Sequence, residues 1–283
     1  EKVFIDIPFS ETYVIKPPDF VNLRPKSLVN TGDRVKAGTP LFYDKDNETV
    51  LFTSPVSGEV IEVNRSPKRK ILEIKILADK EISYEPFKKS NPNELSREKI
   101  IDTMLKSGVW PLIRQRPFSI IANPADNPKA IFISAFDTNP LAPDNDFVLH
   151  RKGEIFQAGL DAVAKLTSGK VHLNIKANTV TSKVFTNSKG VQINKISGPH
   201  PAGNIGVQIH HIDPLNKGDI VWYLYPQDVL IIGKLFTEGK FDASRIVVLT
   251  GSEVEKPRYY KTMIGASITN MVTDNIKEGN SRY

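Results

Sequence analysis

The 283 residues contain no cysteine. That one absence excludes disulfides, zinc–thiolate sites, thiol nucleophiles and cysteine-ligated iron–sulfur clusters. Long hydrophobic runs are missing as well. The longest, such as residues 130–136 and 229–233, fall far short of the ~18 apolar residues that a membrane span requires. No charged segment followed by an apolar stretch opens the sequence, so no signal peptide is expected and the chain reads as soluble. A strong charge excess is also lacking: 38 Lys and Arg stand against 32 Asp and Glu, a formal +6. Neither aromatic interleaving nor a helix–turn–helix pattern accompanies the basic residues, so nucleic acid is not an expected partner.

What is present suffices for folded domains, since 40% of residues are hydrophobic. Residues 1–85 are strand-rich, with short apolar runs punctuated by Gly, Pro and Asn. Within them, Leu28-Val29-Asn30-Thr31-Gly32-Asp33-Arg34-Val35 has the strand, Gly-Asp turn, strand pattern of a biotinyl/lipoyl carrier. Phe52-Thr53-Ser54-Pro55-Val56-Ser57-Gly58 supplies its later strand. Counting back from Pro55 without gaps, the place of a carrier's modified lysine holds Asn47, with Lys45 close but off register. The domain is therefore expected to be a scaffold. Arg65, Lys68, Arg69 and Lys70 surround a Ser-Pro turn and read as a solvated hairpin tip; contact with an anionic membrane surface or an acidic partner is the other reading.

Residues 85–93 read as a linker, and the sequence then changes character. Ser96 is placed to cap a helix carrying Ile100, Ile101, Met104 and Leu105, and Gly108 to stop it. The continuous apolar run 130–136 predicts a strand buried on both faces. A helix is predicted over 151–168 with Gly169 as its stop, then a strand over 171–175. A second round follows: strand 220–224, helix 227–238 with Gly239 as its stop, and strand 245–249. This alternation predicts a Rossmann-like open α/β domain over 86–250. Residues 251–283 resemble the start of a β-grasp module with too little chain to close it, so the chain is expected to be a fragment. The fold class is α/β, multi-domain α+β overall.

Ligands of open α/β sheets bind beyond the carboxyl ends of the strands. Two loops there are chemically unusual: residues 137–144, with Asp137 and Asn139, and residues 197–206, where Gly198, His200 and Gly203 lie among prolines. As plain structure, the first is a long connection with turn-capping side chains and the second a rigid turn. Gly198 and Gly203 have phosphate-loop spacing, but Asn204 and Ile205 stand where Lys and Ser/Thr are needed. The following Val207-Gln208-Ile209-His210 reads as β, so no helix N-terminus is expected there. His210 and His211, as strand neighbours, would face opposite sides and share no metal. His211 and Asp213 would share a face, but two ligands make no site. No nucleophile elbow or diagnostic carboxylate pair is present.

More specific matches lie in Arg114-Gln115-Arg116-Pro117-Phe118-Ser119, Asp137-Thr138-Asn139-Pro140-Leu141-Ala142 and Phe156-Gln157-Ala158-Gly159-Leu160. Gly198-Pro199-His200-Pro201-Ala202-Gly203, Gln227-Asp228-Val229 and Gly233-Lys234-Leu235-Phe236 continue them in order along the chain. On these the sequence resembles the family of A subunits of sodium-translocating NADH:quinone reductases. That family is related to the C subunits of Rnf complexes and to the flavin subunit of complex I. The resemblance implies a peripheral subunit on the cytoplasmic face of a bacterial inner-membrane complex that oxidises NADH, reduces ubiquinone and exports sodium. It implies enzyme activity only within that complex, the other subunits as partners, ubiquinone as a ligand, and no FMN or iron–sulfur cluster of its own. No metal site is expected. The expected role is quinone access and assembly. His200 and Asn139 would be donors to the quinone, Asp137 would orient them, and Gly198 and Gly203 would admit the ring. The rival is a purely structural docking subunit. A third reading, a stand-alone nucleotide enzyme, would require a phosphate loop.

Overall fold

The computed structural model describes residues 2–7, 9–179, 181–273 and 275–277. The first part folds as two facing sheets. Thr12–Ile15, Ile71–Ala78, Gly58–Arg65 and Arg34–Val35 form one, in that order; Pro25–Ser27, Pro40–Asp44 and Asn47–Thr53 form the other. Alternation along the strands turns Val60, Ile74 and Ile76 inward, where they are wholly buried together with Leu41 and Phe42. The basic residues 65 and 68–70 are exposed around the hairpin between Gly58–Arg65 and Ile71–Ala78.

The hairpin that a carrier would use departs from the gap-free count. Asn47 pairs with Asp44, so Lys45 and Asp46 make the two-residue turn. A register irregularity after Tyr43 lengthens the hairpin. A lysine does stand at the tip, between two aspartates, and Asp46 pairs with Arg24 at 2.6 Å.

The α/β domain centres on a six-stranded sheet ordered Ile120–Ile121, Arg114–Arg116, Val221–Leu224, Ala130–Ser134, Lys170–Lys176, Gln192–Ile196. The last four strands are parallel; Arg114–Arg116 runs antiparallel to Val221–Leu224. Every residue of Ala130–Ser134 is buried, as its unbroken apolar run requires. Ile131 and Ile133 face one layer with Phe156 and Leu160, while Ala130 and Phe132 face Ile205 and Ile209 on the other.

Helix Arg97–Ser107 begins and ends as its sequence dictates. Ser96 Oγ accepts from the Lys99 amide at 3.3 Å, and Gly108 closes the helix at φ +77°. Gly108 also abuts the first domain: a Cβ there would lie 2.1 Å from Thr53 Oγ1. The expected linker is tied down, with the Phe87 and Ser90 amides donating to Gly239 and Phe236 carbonyls at 2.8 and 3.0 Å.

Helices Gly153–Ala164 and Pro226–Glu238 pack side by side over one face. Their contact is backbone to backbone. A Cβ on Gly159 would lie 2.1 Å from the Val229 carbonyl oxygen, and one on Gly233 would lie 2.0 Å from that of Ile155.

Three expectations need correction. The helix predicted to Gly169 ends at Ala164, and Gly169 instead packs on the Lys129 carbonyl, 1.9 Å from where its Cβ would be. Residues 205–212 are helical, not β: Ile205, Gln208 and Ile209 share the buried face, a spacing that the short Val-Gln-Ile-His alternation obscured. Strand Ser244–Leu249 does not extend the six-stranded sheet. It pairs with Arg258–Met263, which also pairs in parallel with Phe4–Asp6. Of the tail expected to open a β-grasp, residues 274 and 278–283 lie outside the described residues. No helix among the described residues is long and apolar enough to cross a membrane.

Gly159→Ala and Gly233→Ala are each expected to destabilise the chain by about 1–3 kcal/mol, since the added methyl must push two helix backbones apart. Urea denaturation checks this; an unchanged midpoint for both would show that the helices are not so closely apposed.

Candidate functional site

Beyond the carboxyl ends of Ala130–Ser134 and Val221–Leu224 a crevice opens. Its volume is about 620 Å³. One wall is Ser134, Phe136, Asp137 and Asn139; the other is Tyr225, Pro226 and Gln227. Residues 203–207 close one end, and Arg116 and Arg245 also line the space.

The two unusual loops meet here. The Gly203 amide donates to Thr138 Oγ1 at 2.8 Å, and Thr138 Oγ1 lies 3.2 Å from His200 Nδ1. Only glycine fits at 203, because a Cβ would fall 2.3 Å from the Thr138 nitrogen. Asp137 Oδ1 accepts from both the backbone and the side-chain amide of Asn139, each at 2.8 Å, so the carboxylate sets the direction of that side chain. Of the residues singled out from sequence, Asp137, Asn139 and Gly203 line the crevice. His200 and Gly198 do not; His200 stands behind the wall, against Thr138.

A buried amide holds the loops to the sheet. Gln208, 2% exposed, donates from Nε2 to the carbonyls of Gly203 at 3.1 Å and of Phe136 at 3.4 Å. Its Oε1 accepts from Asn174 Nδ2 at 2.7 Å, and Asn174 accepts in turn from Asn194 at 2.8 Å. Because residues 205–212 are helical, a helix start faces the crevice after all. Asn204 caps it without a side-chain bond, and the amides of Ile205 and Gly206 have no acceptor among the described residues.

Arg116 is the side chain that sequence reasoning passed over. Its guanidinium lies against Gly206, where a Cβ would be 2.4 Å away, and it has no hydrogen bond or ion pair among the described residues. Arg245, by contrast, is committed to Asp228 in a largely buried pair. The other oxygen of Asp228 accepts from the Tyr225 amide at 2.9 Å and so caps helix Pro226–Glu238. The Tyr225 phenol is held above its ordinary range by partial burial, then by the neighbouring Tyr223, Asp228 and Asp137. It therefore remains a neutral donor at physiological pH. Nothing in the sequence marks Arg116 as unpaired, because its surroundings come from segments distant along the chain.

His210 and His211 sit in the last helical turn with ring centroids 5.3 Å apart, not on opposite faces of a strand. No group of three or more His, Asp or Glu able to hold a metal occurs among the described residues.

Tyr225 and Arg245 also border a second groove, of about 470 Å³, between the two domains. Phe20, Val21, Phe52, Leu112, Phe241 and Ile264 make it largely apolar. Arg114 lies over the Phe20 ring at 5.2 Å across this junction.

Comparison with known proteins gives three consecutive family matches: "NqrA N-terminal barrel-sandwich hybrid domain" over residues 1–79, "NqrA second alpha/beta domain" over 95–241 and "NQRA C-terminal domain" over 246–283. Among curated relatives, the A subunit of the Na(+)-translocating NADH-quinone reductase of Yersinia pseudotuberculosis serotype O:1b is 41% identical over 266 residues, which cover 93% of this chain and 59% of the relative. The proteins of the same description from Photorhabdus laumondii and Serratia proteamaculans are 39% and 36% identical. They cover 93% and 98% of this chain, and 59% and 62% of the relatives. The chain thus spans about three-fifths of the length of these relatives. Among solved structures, an NAD+-reducing [NiFe]-hydrogenase in its air-oxidized state matches at 14% identity and TM-score 0.47, covering 68% of this chain and 40% of its own, a likeness too loose to argue from.

Gln208→Leu is expected to cost about 1–3 kcal/mol for each polar group it strands, the Asn174 amide and the Gly203 carbonyl among them. Adding Asn174→Leu should recover part of that loss, giving a clear coupling energy in a double-mutant cycle. Strictly additive losses would show that the two amides act separately.

Proposed function

The chain belongs to the NqrA family, and on that premise we propose that it forms part of the NqrA component of a sodium-translocating NADH:quinone reductase, where it binds a quinone headgroup and organises quinone access. In this reading it is peripheral to the membrane through its partner subunits, on the cytoplasmic face, and carries no flavin or iron–sulfur centre. We read the α/β domain over 86–250 as Rossmann-like, and the tail from 251 as the start of a β-grasp module. Residues 1–85 are read as a scaffold.

The observation that carries the quinone reading is the unpaired Arg116 guanidinium within a crevice at the strand ends. A quinone needs a flat slot with an apolar lining and a few donors to its carbonyl oxygens. Phe136 and Tyr225 supply ring faces, and Arg116 is a free donor of fixed charge. The Asn139 amide, aimed by Asp137, is a second donor. Gly203 brings backbone close to the ring position, and Gly198 and His200 hold the loop behind it. The adjoining apolar groove past Tyr225 suits the isoprenoid tail. The relatives' shared description as part of a quinone reductase agrees with this chemistry.

A short-chain ubiquinone titrated against the 283-residue chain should bind saturably, and Arg116→Met should weaken it about ten- to a hundredfold. Absence of saturable binding by the unaltered chain would leave the docking-subunit reading in its place. Binding unchanged in the Arg116 variant would move the headgroup out of this crevice.

A further inference from the structure

On the other side of helix Pro226–Glu238 lies a separate pocket of about 300 Å³, bounded by helix Gly153–Ala164 and by the sheet of Phe4–Asp6, Arg258–Met263 and Ser244–Leu249. Its floor is apolar: Phe4, Ile155, Leu230, Ile231 and Ile246 all line it. Its rim is cationic, with Lys152, Lys234, Arg245 and Lys261.

Three of these cations have carboxylate partners in the fold. Lys234 pairs with Asp242 at 2.6 Å, Lys261 with Asp6 at 3.1 Å, and Arg245 with Asp228. Lys152 has neither an ion pair nor a side-chain hydrogen bond among the described residues, although it is partly buried. Burial first, and then repulsion from Lys234 and Lys261, pushes its ammonium below the ordinary lysine range; Asp242, already engaged by Lys234, only partly offsets this. A partly desolvated charge facing like charges is costly unless an anion joins them. Among the described residues no carboxylate is paired with Lys152.

We propose that this pocket binds a small amphiphilic anion, a carboxylate or phosphate head on an apolar chain, with the head at Lys152 and the chain over the Phe4–Ile155–Leu230 floor. The two parts of the site require the two parts of the ligand. A free inorganic anion would leave the apolar floor uncovered, and a neutral lipid would leave the ammonium unpaired. The site shares only Gln227 and Arg245 with the crevice, and both already have partners within the fold.

Dodecanoate and dodecyl phosphate, each below its micelle-forming concentration, are the probes, read by isothermal titration and by thermal unfolding of the 283-residue chain. Saturable binding of either supports the proposal, and which of the two binds more tightly identifies the head. Lys152→Met should weaken binding about ten- to a hundredfold, abolish the ligand-induced rise in Tm, and leave the unliganded Tm unchanged or higher. Lys152→Arg, which keeps the charge, should bind. Equal binding of dodecanol, equal binding by the Met variant, no binding of either anion, or a lower Tm for the unliganded Met variant would each overturn it. Quinone binding should be the same in the Lys152 variants and the unaltered chain, which separates this site from the crevice.

Discussion

Two helices touch through their backbones, and much of this molecule follows from that contact. Gly159 and Gly233 leave no side chain between Gly153–Ala164 and Pro226–Glu238, so each helix presses on a carbonyl of the other. Close approach of this kind fixes both the spacing and the register of the pair. The start of Pro226–Glu238, with Tyr225 and its Asp228 cap, is thereby set at one height above the sheet. That height is what gives the crevice its second wall. The same pair also borders the cationic pocket, so one rigid contact helps to position both cavities.

Polar groups divide the labour in a consistent way. Gln208 and Asn174 are used inside the protein, tying loops to strands where no water can replace them. Asp228 serves twice, at a helix start and at Arg245. Against that background of satisfied groups, Arg116 and Lys152 stand out because their charges are left over. Leftover charge in a concave, partly desolvated place is a physical reason to look for a ligand, and here one such charge lines each of the two cavities.

The regular elements were legible where local chemistry is decisive. Ser96 and Gly108 bracket their helix because an N-cap hydroxyl and a left-handed glycine answer needs of the helix ends alone. The run at Ala130–Ser134 reads as a buried strand because both its faces are covered. Legibility failed where neighbours decide. Val207 and Ile209 alternate as in a strand, yet Ile205 and Ile209 are drawn onto Phe132 and Tyr223, and helix results. Ser244–Leu249 has strand character in any context, but only its partner Arg258–Met263 says which sheet it joins. At the site, Asp137, Asn139 and Gly203 were readable from loop composition. Arg116 was not, since being unpaired is a property of everything around it. Lys45 shows the same limit on a smaller scale: an irregular register moves the hairpin tip away from where counting puts it.

The three-stranded sheet joins Phe4–Asp6 to Arg258–Met263, with Phe4 stacked on Phe147 at 4.2 Å and Tyr259 donating its backbone amide to Val3 at 3.2 Å. On a ribosome these strands are made far apart in time. At about 5–20 residues per second, on the order of ten seconds or more must pass before Phe4–Asp6 can meet its partner. Throughout that interval the backbone edge of Phe4–Asp6 remains unpaired, while the sandwich domain behind it can already close. Nascent chains of this protein thus have a window in which a chaperone that grips extended apolar segments has a defined target, and synthesis of Arg258–Met263 is the event that ends it.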